Sequence, residues 1–228
     1  ILSSIPIVDT TPVDGPVVIP HFADGAGWKT QVVLVNNTDE EQRGEVRFLS
    51  QGNTPVDVGT TDALTSVFEY HIQPRSYSRV QTNGLLENLS TGSVRIVPFE
   101  GFRAPAANAI VAQFVVDENA TAIAGTTRVN TIFETPVEAR LPATSMRFYG
   151  ESVGDFDAGK PRSTRTSLAV ANPSGAETTF QLEVRSFDDV SLGTSSPITI
   201  PAGGQYANYL QLVPGLESLP VPFQGLVR

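Results

Sequence analysis

The chain has 228 residues and a formal net charge of −9, with 40% hydrophobic and 17% charged residues, 19 Gly and 17 Pro. That composition excludes a disordered acidic tail and a helical bundle, and its acidity excludes a nucleic-acid partner, whose phosphates need a basic face. The absence of Cys, the presence of only Lys29 and Lys160 as lysines, and the lack of any apolar run near the ~20 residues of a spanning helix argue against disulfides, thiolate metal sites, polybasic lipid contacts and membrane insertion.

The chain opens with Ile1-Leu2-Ser3-Ser4-Ile5-Pro6-Ile7-Val8, a short apolar β-prone segment, and a turn-rich stretch follows it. Residues 1–15 therefore read as an extended N-terminal segment. Strands are predicted over 31–35, 44–49, 67–72, 76–81, 92–98, 109–116 and 121–129. Each is a period-two or β-branched run closed by Gly, Pro, Asn or Asp. Asp117-Glu118-Asn119 reads as the turn of a hairpin between the last two. No window sustains helical periodicity with caps, so only short helical turns are expected, at 85–89 and 210–219. Strands of this length and spacing predict an all-β chain of immunoglobulin-like β-sandwich architecture.

Four collinear matches suggest an internal repeat with a step near ~130 residues, longer than a solenoid period. Val33-Leu34-Val35-Asn36-Asn37-Thr38 resembles Leu168-Ala169-Val170-Ala171-Asn172-Pro173, and Glu45-Val46-Arg47 resembles Glu183-Val184-Arg185. Ile72-Gln73-Pro74 resembles Ile200-Pro201-Ala202, and Gly92-Ser93-Val94-Arg95 resembles Gly225-Leu226-Val227-Arg228. Two tandem sandwich domains follow, 16–133 and 134–228. After Arg95 the first copy continues into a hairpin over 108–129, while the second stops at Arg228, so the second domain is expected to lack its last two strands. Such a sandwich exposes unpaired backbone and invites strand addition. Ile1, Leu2, Ile5 and Ile7, with Gly225, Leu226 and Val227, are the assembly candidates. The N-terminal segment would complete a sheet in its own chain or a neighbour; the competing reading is that residues beyond Arg228 supply the strands.

Candidate chemistry is sparse. His21-Phe22-Ala23-Asp24-Gly25-Ala26-Gly27-Trp28 gathers a His, an Asp and the only Trp, but its Gly pattern reads as a structural turn. His71 sits in a predicted strand and reads as solvent-facing. No Gly-x-Ser-x-Gly elbow or His-Glu-x-x-His occurs. Gly154-Asp155-Phe156-Asp157-Ala158-Gly159-Lys160 fails as a phosphate loop because Pro161 replaces the required hydroxyl residue. Asp155 with Asp157, and Asp188 with Asp189, lack the ligand steps of a calcium loop. Tyr70, Tyr77, Tyr149, Tyr206 and Tyr209 could form a sugar-stacking platform or face inward. Asn36-Asn37-Thr38, Asn88-Leu89-Ser90 and Asn119-Ala120-Thr121 match the glycosylation pattern.

His21 to Trp28 followed by Lys29-Thr30-Gln31-Val32-Val33-Leu34-Val35-Asn36, together with Gly92-Ser93-Val94-Arg95 and Pro222-Phe223-Gln224-Gly225-Leu226-Val227-Arg228, resembles an uncharacterised tandem β-sandwich module found near the ends of large secreted bacterial proteins. The resemblance covers nearly the whole chain from about Pro16. It implies a β-rich fold and a secreted or cell-surface location, extracellular or periplasmic, and carries over no catalytic residue. It also implies further strands beyond the equivalent of Arg228. The expected function is that of a non-catalytic structural or adhesive component of an extracellular assembly, with other protein chains as partners, a homo-oligomer or filament among them. Carbohydrate binding and a donor-strand-complemented filament subunit are the alternatives. No enzyme activity, cofactor or metal is expected.

Overall fold

In a computed structural model of the chain, the described residues are 13–116, 129–139, 142–156, 158–160 and 162–228. Ten strands fill the first part in chain order: β1 (Val17–Asp24), β2 (Trp28–Asn36), β3 (Gln42–Ser50), β4 (Val58–Gly59), β5 (Leu64–Thr65), β6 (Val67–Ile72), β7 (Ser76–Gln81), β8 (Ser90–Pro98), β9 (Ala106–Val116) and β10 (Val129–Glu138). Nine follow: β11 (Phe148–Val153), β12 (Thr164–Arg165), β13 (Ser167–Ala171), β14 (Thr178–Phe180), β15 (Glu183–Ser186), β16 (Ser191–Thr194), β17 (Ile198–Ile200), β18 (Gln205–Tyr209) and β19 (Phe223–Val227). The strands pair antiparallel throughout, and the only helical element among the described residues is a 3₁₀ turn at Leu210–Leu212. The chain divides into two compact units, Ile1–Leu141 and Pro142–Arg228. The division falls later than the 133/134 junction suggested by the sequence, because β10 runs through that junction to pair with β9 from Val129 to Glu138. The N-terminal candidates Ile1, Leu2, Ile5 and Ile7, and the expected turn at 117–119, lie outside the described residues.

The first unit has two four-stranded sheets, ordered β1-β8-β3-β6 and β10-β9-β2-β7, and a small β4-β5 pair. Its buried core draws Phe22, Phe48, Val94 and Ile96 from the first sheet and Val32, Leu34, Ala107 and Ala109 from the second, an arrangement that fits a β-sandwich. Period two explains the selection: in β3, Val46 and Phe48 point inward, while Arg47 between them is exposed. Phe22 meets the Phe48 ring edge-on at 5.0 Å, which locks β1 against β3 through aromatic packing.

The second unit has a five-stranded sheet, β12-β11-β19-β15-β16, and two strand pairs, β13-β18 and β14-β17. Part of its core comes from loop residues. Leu210, Val213, Leu216 and Leu219 are all buried, and the N–H of each of the last three donates to the carbonyl of the residue three before it (3.1, 2.9 and 3.1 Å). A spacing of three in successive tight turns puts every third side chain on one face, which is how a segment without a long helix still fills a core. At 85–89, where the sequence suggested a similar turn, the chain instead forms an irregular loop that covers the first hairpin.

Candidate functional site

The densest cluster of polar and glycine residues, 21–28, turns out to build the β1–β2 hairpin. Gly25 and Trp28 exchange both backbone hydrogen bonds (3.0 and 2.9 Å), leaving Ala26 and Gly27 as a two-residue loop with φ of 50° and 81°. Positive φ at both positions is the turn that follows the natural twist of a hairpin. Asp24 is fully buried, and its carboxylate accepts the backbone N–H of Gly59 and of Gly84, each at 3.0 Å. It thus fastens two distant loops to the hairpin. His21 is held in β1, where burial pushes its pKa down to about 4.

Three hydrogen-bond networks occur in both units, centred on residues 136 apart. The Thr30 hydroxyl accepts the Ala23 N–H and donates to its carbonyl (2.9 and 2.8 Å), as the Thr166 hydroxyl does with Glu151 (2.8 and 3.0 Å). Buried Asn36 donates its amide to the carbonyls of Glu40, Ile72 and Gln73 and accepts from the Thr38 N–H and hydroxyl. Buried Asn172 does the same with Ala176, Ile200, Pro201 and Ser174. Ser50 organises a turn with Asn53 (φ 67°) and Thr54, as Ser186 does with Asp189 (φ 62°) and Val190.

These networks correct the residue matches read from the sequence. Asn172 corresponds to Asn36, so the first match shifts by one residue; Ser186 corresponds to Ser50, so the Glu-Val-Arg match shifts by two. Apolar identity misled the reading because a one-residue slip in a strand exchanges its faces. The sequence match sets the outward Val33 against Leu168, whose counterpart in the structure is the inward Val32. The matches of Ile72 with Ile200 and of Gly92 with Gly225 keep their register, since both isoleucine carbonyls accept from the paired asparagines and both glycines face the paired serines. The Asn36-Asn37-Thr38 pattern is consequently a buried structural corner rather than a surface acceptor.

With that register, the two units differ at one strand edge. In the first unit β2 lies between β7 and β9; its counterpart comprises β12, which pairs with β11, and β13, which among the described residues pairs with β18 alone. The Thr166 carbonyl accepts from Leu210 and the Asn172 N–H donates to Gly204, so Leu168 and Val170 between them direct their backbone toward the β18 side, while the Thr166 N–H donates to Glu151 of β11. Backbone polar groups alternate between the two edges, so Ser167, Ala169 and Ala171 direct theirs to the open edge. Gly27, the first-unit position in phase with them, accepts the Phe114 N–H of β9 on its carbonyl at 2.8 Å. Beside this edge lies a groove of about 530 Å³, lined by residues 143–148, 167–170, 180–182 and Arg228. Leu168 and Val170 form its floor; Val170 is only partly buried, while its counterpart Leu34 is fully buried beneath β9. β13 carries neither charge nor Pro, the usual protections of an edge strand.

The remaining candidates fall elsewhere. Gly225, Leu226 and Val227 lie in β19, which is paired on both sides, with β11 and β15, so its edges are occupied by the chain's own strands. Val227 belongs to the core, and Leu226 is exposed on the outer face. His71 is exposed in β6, its Nε2 at 2.8 Å from a Glu41 carboxylate oxygen. Asp155 pairs with Lys160 and Asp189 with Arg185, and among the described residues no group of three His, Asp or Glu gathers as a metal site. Of the tyrosines, Tyr70 is buried, Tyr206 and Tyr209 are partly buried, and Tyr77 and Tyr149 are exposed. Tyr149 lies 6.2 Å from Phe187, the rings 12° from parallel. No helix among the described residues is long and apolar enough to cross a membrane. Compared with protein-family models, with curated proteins and with solved structures, the chain matches none.

Proposed function

We propose that this chain is a non-catalytic structural or adhesive component of an extracellular or cell-surface assembly, made of two tandem immunoglobulin-like sandwiches and acting through a strand edge. The observation that carries the reading is β13, an uncharged strand with one edge unpaired among the described residues, above an apolar groove, in a unit whose sister covers the same strand. Unpaired backbone donors and acceptors beside exposed core side chains are satisfied by adding a strand, and the added side chains gain burial at the same time. The module of secreted bacterial proteins that the chain resembles supports the extracellular location.

Native mass spectrometry of the purified chain and of Ala169→Pro tests this reading. Proline removes an N–H that points to the open edge and leaves the bonds to β18 in place. The expected result is multimers, or complexes with protein from the natural source, that are lost in the variant while its melting temperature stays within a few degrees of the parent. A parent that remains monomeric and partnerless under these conditions refutes the reading. Carbohydrate recognition would then take its place, on the exposed, nearly parallel rings of Tyr149 and Phe187 beside Leu226.

A further inference from the structure

The second unit carries an aromatic face that its fold does not require. On the outer side of the five-stranded sheet, Tyr149 of β11 stands opposite Leu226 of β19, and Leu226 stands opposite Arg185 of β15. Phe187 follows β15, and its ring meets that of Tyr149 across the central strand, 6.2 Å away and 12° from parallel. Tyr149 is 49% exposed, Phe187 65% and Leu226 44%, so core burial holds none of them there. The first unit has different residues at the same places. Gly150 faces Gly225 as Phe22 faces Gly92, so Tyr149 answers to His21; Phe187 follows Ser186 as Gln51 follows Ser50. In that unit the Gln51 amide donates to the Thr91 hydroxyl at 3.4 Å, and the sheet forms without either ring.

Polar groups border the rings. The Tyr149 hydroxyl donates to Glu151 Oε2 at 2.6 Å, and the Gln224 amide donates to the same oxygen at 3.5 Å. Both contacts fall on Oε2, which leaves Oε1 to accept from an outside donor. Among the described residues no Arg or Lys pairs with Glu151, and the Arg185 guanidinium on this face is already shared between Glu183 and Asp189. Parallel ring faces beside hydrogen-bonding groups match a six-membered sugar ring, which is C–H on its faces and hydroxyl at its rim. The unpaired carboxylate repels an anionic polymer and accepts well from a hydroxyl.

We infer that this face binds a neutral polysaccharide, whose sugar rings lie on Tyr149 and Phe187 while their hydroxyls donate to Glu151 and accept from Gln224. Sugars with every ring substituent equatorial present an unbroken C–H face and fit it best. A sugar ring covers about one aromatic ring, so the pair engages neighbouring units of a chain. The inference goes beyond the assembly reading and is independent of it, since none of these residues lines the groove beside β13.

The test is calorimetric titration of the full chain with cellohexaose and xylohexaose as neutral probes, and with cellohexaose oxidised to its uronate form as the anionic one. At least one neutral probe should bind, and binding should weaken at least about fivefold in Phe187→Ala and in Tyr149→Ala. The melting temperature should stay near that of the parent, because both rings are exposed. The uronate should bind about tenfold more weakly than cellohexaose, and Glu151→Gln should narrow that gap. Absence of binding by both neutral probes at millimolar concentration overturns the inference, as does equal binding by the ring variants or tighter binding of the uronate. Multimers that disappear in Phe187→Ala, from a parent that ignores the sugars, assign the face to protein contact and overturn it too. Ala169→Pro should bind the probes as the parent does, so this inference and the strand-edge reading fail separately.

Discussion

His21 sits next to a register shift in β1, between Ile19 and Phe22, and it is the residue through which acid should first reach the fold. Burial disfavours its charged form, so its pKa falls from 6.5 to about 4. The unfolded chain accepts a proton near pH 6.5, while the folded chain refuses it until about pH 4. The stabilising contribution is therefore complete above pH 6.5 and is lost as pH falls toward 4, a change of up to about 3 kcal/mol. Urea unfolding from pH 7.5 to 4 should show this slope in the first unit, and His21→Gln should flatten it. The carboxylates behave differently. Arg103 holds Asp14 below the usual carboxylate range, Arg75 does so for Asp39, and Arg228 and Arg185 do so for Glu183. Their contributions persist through the histidine window and fade only as pH drops further, through their lowered folded values.

At the scale of single elements, the central strands are admitted by glycine. A Cβ on Gly92 would run into the Leu49 carbonyl oxygen, and a Cβ on Gly225 into that of Arg185. Each glycine lies where β8 or β19 passes closest to its partner, opposite Ser50 or Ser186. Gly225→Ala must push β19 from β15, breaking ladder bonds on one side of the strand. A loss of about 2–3 kcal/mol is expected, against less than about 1 kcal/mol for the outward Leu226→Ala, as measured by chemical denaturation. The repeated Gly-x-Val-Arg was visible in the sequence for this reason: the backbone approach tolerates one residue type, so the match kept its register. The β2 and β3 matches lacked such a pin, and many apolar alignments of a strand look equally good until the faces are known. The 85–89 loop eluded the sequence because its role is contributed by partners far along the chain: the Leu86 carbonyl accepts from Ala26 and the Gly84 N–H is held by Asp24.

Over the whole molecule, each unit carries its own core and its own buried asparagine corner, so damage to one should leave the other's local stability intact. Asn36→Ala strands the carbonyls of Glu40, Ile72 and Gln73, and Asn172→Ala strands those of Ala176, Ile200 and Pro201. Each substitution is expected to cost about 3 kcal/mol, through buried groups left without partners. Hydrogen exchange should report faster opening of β3 and β6 in the first variant and of β15 and β17 in the second. Equal effects on both units from either substitution would contradict separate cores. The sequence by itself determined the strand-rich class, most strand positions and the turn segments, since alternation, β-branching and Gly or Asn placement act over a few neighbouring residues. Only the tertiary structure decided that β10 belongs with the first unit, that β19 is an interior strand, and that β13 pairs on one side only among the described residues, beside a groove. Those facts concern which strand lies beside which, and strand neighbours are chosen by contacts between residues remote in the chain, where local pattern carries no information.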